Sequence, residues 1–125
     1  MEAQQTEKDS ARSVKRLPSL VAKLSNGEHN LEVSTRSRES GIEELKKSID
    51  LGYLRLRFTE TLGETELGFQ LDRDDSDFTK IDFEKQTGKL RVVGMPISLD
   101  YVRVRCVATV DASTLKGTGH LELIQ

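Results

Sequence analysis

The chain has 125 residues, 35% of them apolar and 32% charged, with 19 basic and 21 acidic side chains for a formal net charge of −2. That length fits one domain, and the near-neutral balance gives no general pull toward nucleic acid or an anionic membrane. The single cysteine, Cys106, excludes an internal disulfide and is in keeping with a reducing compartment.

Residues 1–16, "MEAQQTEKDSARSVKR", contain one large apolar side chain, Val14. They lack the apolar stretch of a signal peptide, and with little to bury they read as a disordered tail ahead of an α+β domain over 17–125. No apolar run approaches the ~20 residues of a membrane span, so a soluble cytoplasmic protein is expected. Leu17, Leu20, Val21 and Leu24 follow at helical spacing, with Pro18 at the first turn and Gly27 as the stop. "NLEVSTR" (30–36) alternates as a strand with Leu31 and Val33 inward.

The clearest helix is 41–51. Ser40 and Glu43 have capping-box spacing, Ile42, Leu45 and Ile49 form one apolar line with Leu51 next along it, and Gly52 ends it. The period then changes from 3.6 to 2. Leu54, Leu56 and Phe58 pair across "TLGET" with Leu67, Phe69 and Leu71; Ile81 and Phe83 pair across "KQTG" with Leu90 and Val92; Val102 to Val110 pairs across "DAST" with Leu121 and Leu123. Pro96, in "GMPIS", cannot donate to a ladder and interrupts the sheet.

Six or seven strands at ~4.8 Å make a sheet too wide for one helix about 10–12 Å across to cover. A flat sheet would expose a large apolar face. The expected fold is therefore a strongly curved antiparallel sheet of three consecutive hairpins, with one capped helix packed on it. A β-sandwich or partly open barrel is the alternative.

Two stretches repeat one pattern, "YLRLRF" (53–58) and "YVRVRC" (101–106). Alternation turns Tyr53, Arg55 and Arg57, and likewise Tyr101, Arg103 and Arg105, away from the core. Arginine beside aromatic rings suits phosphate or base recognition, which makes these six residues the candidate partner surface. The competing reading is a solvated ladder in which Asp72 and Gln70 face Arg55 and Arg57, and Glu122 faces Arg105.

The segment 71–84 carries four net negative charges. Asp72, Asp74 and Ser76 match the start of a calcium loop, but Asp77 stands where glycine is required and Phe83 where the closing acid belongs, so a charged connection fits better. "KGTGH" (116–120) precedes no helix, which leaves a turn-and-bulge entry to the last strand as the reading of Gly117 and Gly119. "DASTLKG" and "RSVKR" resemble in residue type the signatures of cyclic-dinucleotide-binding PilZ barrels. The glycine stands one place late and the two motifs lie at opposite ends of the chain, so no family is assigned.

His29 and His120 lack metal-ligand spacing, Cys106 alternates inward, and no carboxylate pair can be placed in a pocket. No catalytic residue, cofactor or metal is implied. The expected function is a non-catalytic binding or assembly module that acts on a protein partner or on itself through a sheet face or strand edge. A ligand-binding or catalytic cavity inside the curve is the alternative, and nucleic-acid binding through the arginine faces comes third.

Overall fold

The computed structural model describes residues 18–37, 39–61 and 63–124, so the tail expected over 1–16 lies outside the described residues. Among them are two helices, α1 (Ser19–Leu24) and α2 (Gly41–Leu51), and seven strands: β1 (His29–Val33), β2 (Tyr53–Phe58), β3 (Thr65–Gln70), β4 (Lys89–Val93), β5 (Ile97–Leu99), β6 (Val102–Asp111) and β7 (Lys116–Leu123). All pairings are antiparallel, in the order β3-β2-β1-β7-β6-β4, with β5 also on β6. The sheet is curled, as the width argument requires. Beyond β3, the Gln70 carbonyl accepts the Met95 N–H at 2.8 Å, Asp72 donates to Val93 at 2.8 Å, and Asp77 and Arg91 exchange two bonds of 2.9 Å. Residues 70–77 thus stitch the end of β3 to β4 and nearly complete the ring. No helix among the described residues is long and apolar enough to cross a membrane.

The inward sets predicted from alternation fill the interior: Leu54, Leu56 and Phe58 of β2, Leu67 and Phe69 of β3, Leu90 and Val92 of β4, and Val104, Cys106, Ala108 and Val110 of β6. Val21 and Leu24 of α1 join the same core. Cys106 is buried there, and burial pushes its thiol pKa up to about 12, so it stays protonated and inert.

Helix α2 lies across one end of the curl. Gly41 meets the Leu115 side chain of the β6–β7 turn, and the Arg73 guanidinium donates to the Ile49 carbonyl at 2.7 Å. Leu45 and Ile49 are buried, whereas Leu51, in the last turn before left-handed Gly52, is exposed and leaves the apolar line. The capping box does not form. Ser40 donates to Glu44 at 2.6 Å, and Glu44 also accepts the Arg36 N–H, which together lower its pKa. Leu45→Ala is expected to cost roughly 2–4 kcal/mol in a urea titration, as for other fully buried leucines; a neutral result would place the helix outside the core.

The middle hairpin differs from expectation. Ile81 and Phe83 lie in no strand; the segment makes only isolated bridges, Asp77↔Arg91 and Asp82↔Thr87. Its aspartates bond the N–H groups that follow them: Asp72 with Asp74 and Asp75, Asp77 with Thr79, and Asp82 with Glu84 and Lys85. Such local bonds compete with a ladder. Phe83 packs on the core edge, 5.8 Å below the Lys46 ammonium of α2. Strand β4 pairs instead with β6, and β4–β5 is in effect one strand with an extra residue. Val93 faces Val107, but Ile97 faces Val104, so Gly94, Met95 and Pro96 oppose only two residues of β6.

Candidate functional site

Apart from Tyr101, which stands in the turn before β6, the two Tyr-Arg-Arg sets lie on strands of one sheet, but they do not form one surface. Arg57 shares a crosswise row with Glu32, Lys116 and Asp111. Arg105 is six residues along β6 from Asp111, about 20 Å, and three strand spacings add roughly 14 Å sideways.

On β2 the expected register is displaced by four residues. Arg55 faces Gly68 and Arg57 faces Glu66, because six residues, Thr59 to Glu64, connect the strands. A four-residue slip keeps every side chain on its own face, so alternation cannot detect it. Arg57 donates to Glu32 on β1, and its Nε lies 3.5 Å from Glu64 and has no hydrogen bond of its own among the described residues. Tyr53 lies over Gly68, where a methyl group would come within 2.1 Å of its hydroxyl. This ring covers the surface a glycine leaves bare. Arg55 is exposed beside it, in a shallow groove of about 340 Å³ shared with Arg36, Glu44 and Glu66.

On β6, Arg105 donates to Glu122 at 2.8 Å, the partner expected, and approaches Asp75 at 3.6 Å. Arg103 is exposed, and among the described residues it makes no ion pair. Changing Arg55, Arg57, Arg103 and Arg105 singly to glutamine should separate them: R57Q and R105Q lower the melting temperature by a few degrees, and R55Q and R103Q leave it unchanged. Equal effects at all four would show that the pairs contribute nothing.

Both histidines are engaged locally. His29 lies 3.2 Å from Glu60 and 2.8 Å from the Asn26 carbonyl; His120 contacts Glu28 and, at 3.3 Å, Glu122. No group of three or more His, Cys, Asp or Glu among the described residues is arranged to hold a metal ion. Hydrogen bonds lower the pKa of several carboxylates: Asp77 through Thr79, Asp111 through Ser113, Glu60 through the Asn30 N–H and His29, and Glu122 through Arg105. The folded chain therefore binds these protons less readily than the unfolded chain. Stability is complete above the ordinary carboxylate range and falls as pH drops through about 4 and below. Circular dichroism during acid titration should show unfolding that begins there, and a flat trace to pH 2 would contradict it.

Five large apolar side chains are exposed among the described residues: Leu51 and Tyr53 lie at or just after the end of α2, and Met95, Tyr101 and Leu123 lie toward the opposite rim, where the β5–β6 hairpin has its tip. Asp100 and Tyr101 form its two-residue turn with φ of 49° and 68°. Both values suit the type I′ geometry that matches strand twist, a conformation costly for a bulky tyrosine. Tyr101 is fully exposed. Further from the tip, Leu123, level with Val104, is 47% and Met95 43% exposed, and Ile97, Leu99 and Val102 are only partly covered. Met95, Pro96, Leu123 and Ile124 share a groove of about 480 Å³ with Arg105 and Glu122. Of the six candidate residues, Tyr101 and Arg103 lie at this rim and Arg105 lines its groove. Met95 and Leu123 are not among those six, although "MPISL" (95–99) is an uncharged run beside a strand-breaking proline. No family model matches the chain, and no curated protein matches it.

Proposed function

We propose that the chain is a non-catalytic binding or assembly module whose working surface is the rim made by the β5–β6 hairpin and the end of β7. The observation that carries this reading is that three of the five exposed large apolar side chains among the described residues, Tyr101, Leu123 and Met95, fall at this end, with Ile97, Leu99 and Val102 only partly covered there. Burying Leu, Met and Tyr at a contact gives about 25 cal/mol per Å² of apolar area, and exposed tyrosine and arginine are the residues that most often dominate protein interfaces. Tyr101 is also displayed on a strained turn, and strain of this kind is concentrated at functional positions. The curl's interior is filled by its own leucines, valines and phenylalanines, which favours an outward-facing role.

The test is site-specific photocrosslinking in cells that make the protein. A benzophenone side chain at position 101 should give a discrete adduct that disappears when Leu123→Lys is added. The same group at Lys47, on the outer face of α2, should give none. If position 101 yields no discrete adduct, or one indifferent to Leu123→Lys, the rim is not a binding surface.

A further inference from the structure

We infer that the partner of this rim is a second copy of the chain, joined through β5 in an antiparallel pair centred on Ser98. The inference rests on the proposed role of the rim and names what the rim binds.

Among the described residues, the ring of strands leaves two free edges, the outer side of β3 and that of β5. They are defended differently. Strand β3 carries Glu66 and follows Glu64, charges that resist edge-to-edge pairing. From Met95 to Leu99 the β5 edge carries no charge. Leu99 and Val102 close the two-residue hairpin, so Leu99 and Ile97 direct their main-chain groups toward β6, and the N–H and C=O of Ser98 point outward. No main-chain partner meets Ser98 on that side among the described residues.

The flanks of β5 permit one register. Pro96 has no N–H to give, and the chain reverses at Asp100–Tyr101. A twofold axis at Ser98 pairs Ser98 with its own copy through two main-chain bonds and sets Ile97 beside the other copy's Leu99. It also places Asp100 of one chain opposite Pro96 of the other. A proline at one end and a turn at the other end the ladder there, so the pairing closes as a dimer and does not extend into a fibre.

Charge complementarity supports the same axis. Arg103 is in register with Ser98, and both Arg103 and Asp100 are exposed without an ion pair among the described residues. In the paired sheet, Arg103 and the other copy's Asp100 are two strand spacings and two residues apart, roughly 12 Å between Cα atoms, which the two side chains span. The symmetry makes this contact twice. A specific interface buries about 800 Å² per partner, and a buried tyrosine such as Tyr101 contributes about 150–250 Å² of that.

Sedimentation equilibrium on the full chain should give a concentration-dependent mass approaching twice 14.0 kDa. Ser98→Pro removes the outward N–H at an edge position that tolerates proline, and should leave a folded monomer. Should that variant fail to fold, the charges keep the proposal open to refutation. Asp100→Arg and Arg103→Asp should each weaken association about tenfold, and together restore it to near the wild-type level. A chain monomeric at every concentration, a Ser98→Pro variant that still dimerises, or a double variant no better than the singles would each overturn the inference. Failure here is distinguishable from failure of the rim's binding role. A discrete crosslinked adduct at position 101 of mass other than twice 14.0 kDa keeps the binding surface and refutes the second copy, whereas absence of any adduct removes the surface itself.

Discussion

Alanine at position 117 is expected to destabilise the fold by about 3 kcal/mol, at the upper end of what added core volume costs. Gly117 sits on β7 between Leu31 of β1 and Val110 of β6. A methyl group there would lie 1.8 Å from the Thr109 carbonyl oxygen and 2.9 Å from the Val110 Cα, all main-chain atoms of the neighbouring strand. No side-chain rotation relieves such an overlap, so β6 and β7 must part along their longest ladder. Gly119 is similarly confined, since a methyl group on it would lie 2.7 Å from the Val107 carbonyl oxygen. The natural control is Gly27, which has φ 77° and nothing within 4 Å of where a methyl group would stand. Gly27→Ala should cost only the left-handed backbone penalty, about 1 kcal/mol. Equal urea midpoints for the two variants would show that the strands accommodate the methyl group and that glycine does not set their approach.

These glycines mark the limit of what the sequence discloses. "KGTGH" reads as a turn and bulge, yet both ladders of β7 run without interruption through 117 and 119. On the inward face of β7 the order is Gly117, Gly119, Leu121, and two missing side chains give the sheet room to curl. A linear reading cannot separate a glycine that turns the chain from one that lets two strands close together. Helix 41–51 is legible because its apolar spacing and Gly52 are local. So are the β2–β3 and β6–β7 hairpins, where each half has its own alternation, although the six-residue connection of the first hides its register. The middle hairpin is not, because aspartates at 72, 77 and 82 satisfy nearby N–H groups, a competition that apolar periodicity does not record. Arg105 and Glu122 pair as the turn between them dictates, but Arg57 finds Glu32 on β1, a neighbour that no local signal announces. The rim is half legible. Tyr101 and Arg103 point outward by alternation, whereas Leu123 continues an inward pattern and is exposed only because the sheet outruns its cover.

Phe58→Ala should be the most damaging single truncation, with a loss of about 3–5 kcal/mol. Phe58 is completely buried, in register with Leu31 of β1 and Thr65 of β3, at the last position of the β2–β3 ladder. It belongs to the core that also takes in Val21 and Leu24 of α1. Two residues on, the Glu60 carbonyl accepts from the Lys23 ammonium at 2.9 Å, and the Glu60 carboxylate accepts the Asn30 N–H at 2.8 Å. The backbone around the site is thus tied to both α1 and β1 and cannot easily collapse into the space an alanine leaves. Phe58→Leu keeps most of the volume and should cost under about 1.5 kcal/mol. Guanidinium unfolding separates the two, and an alanine variant as stable as the leucine one would mean that the site closes over the void. A domain of ordinary stability has only about 5–15 kcal/mol in all, so the alanine variant should stand near its unfolding threshold. It should also make the second copy visible: pairing at the outer edge of β5 adds stability that grows with protein concentration by mass action. The midpoint of Phe58→Ala should therefore rise with concentration as the wild type's does. When Ser98→Pro is added, that dependence should vanish while the loss from the missing ring remains.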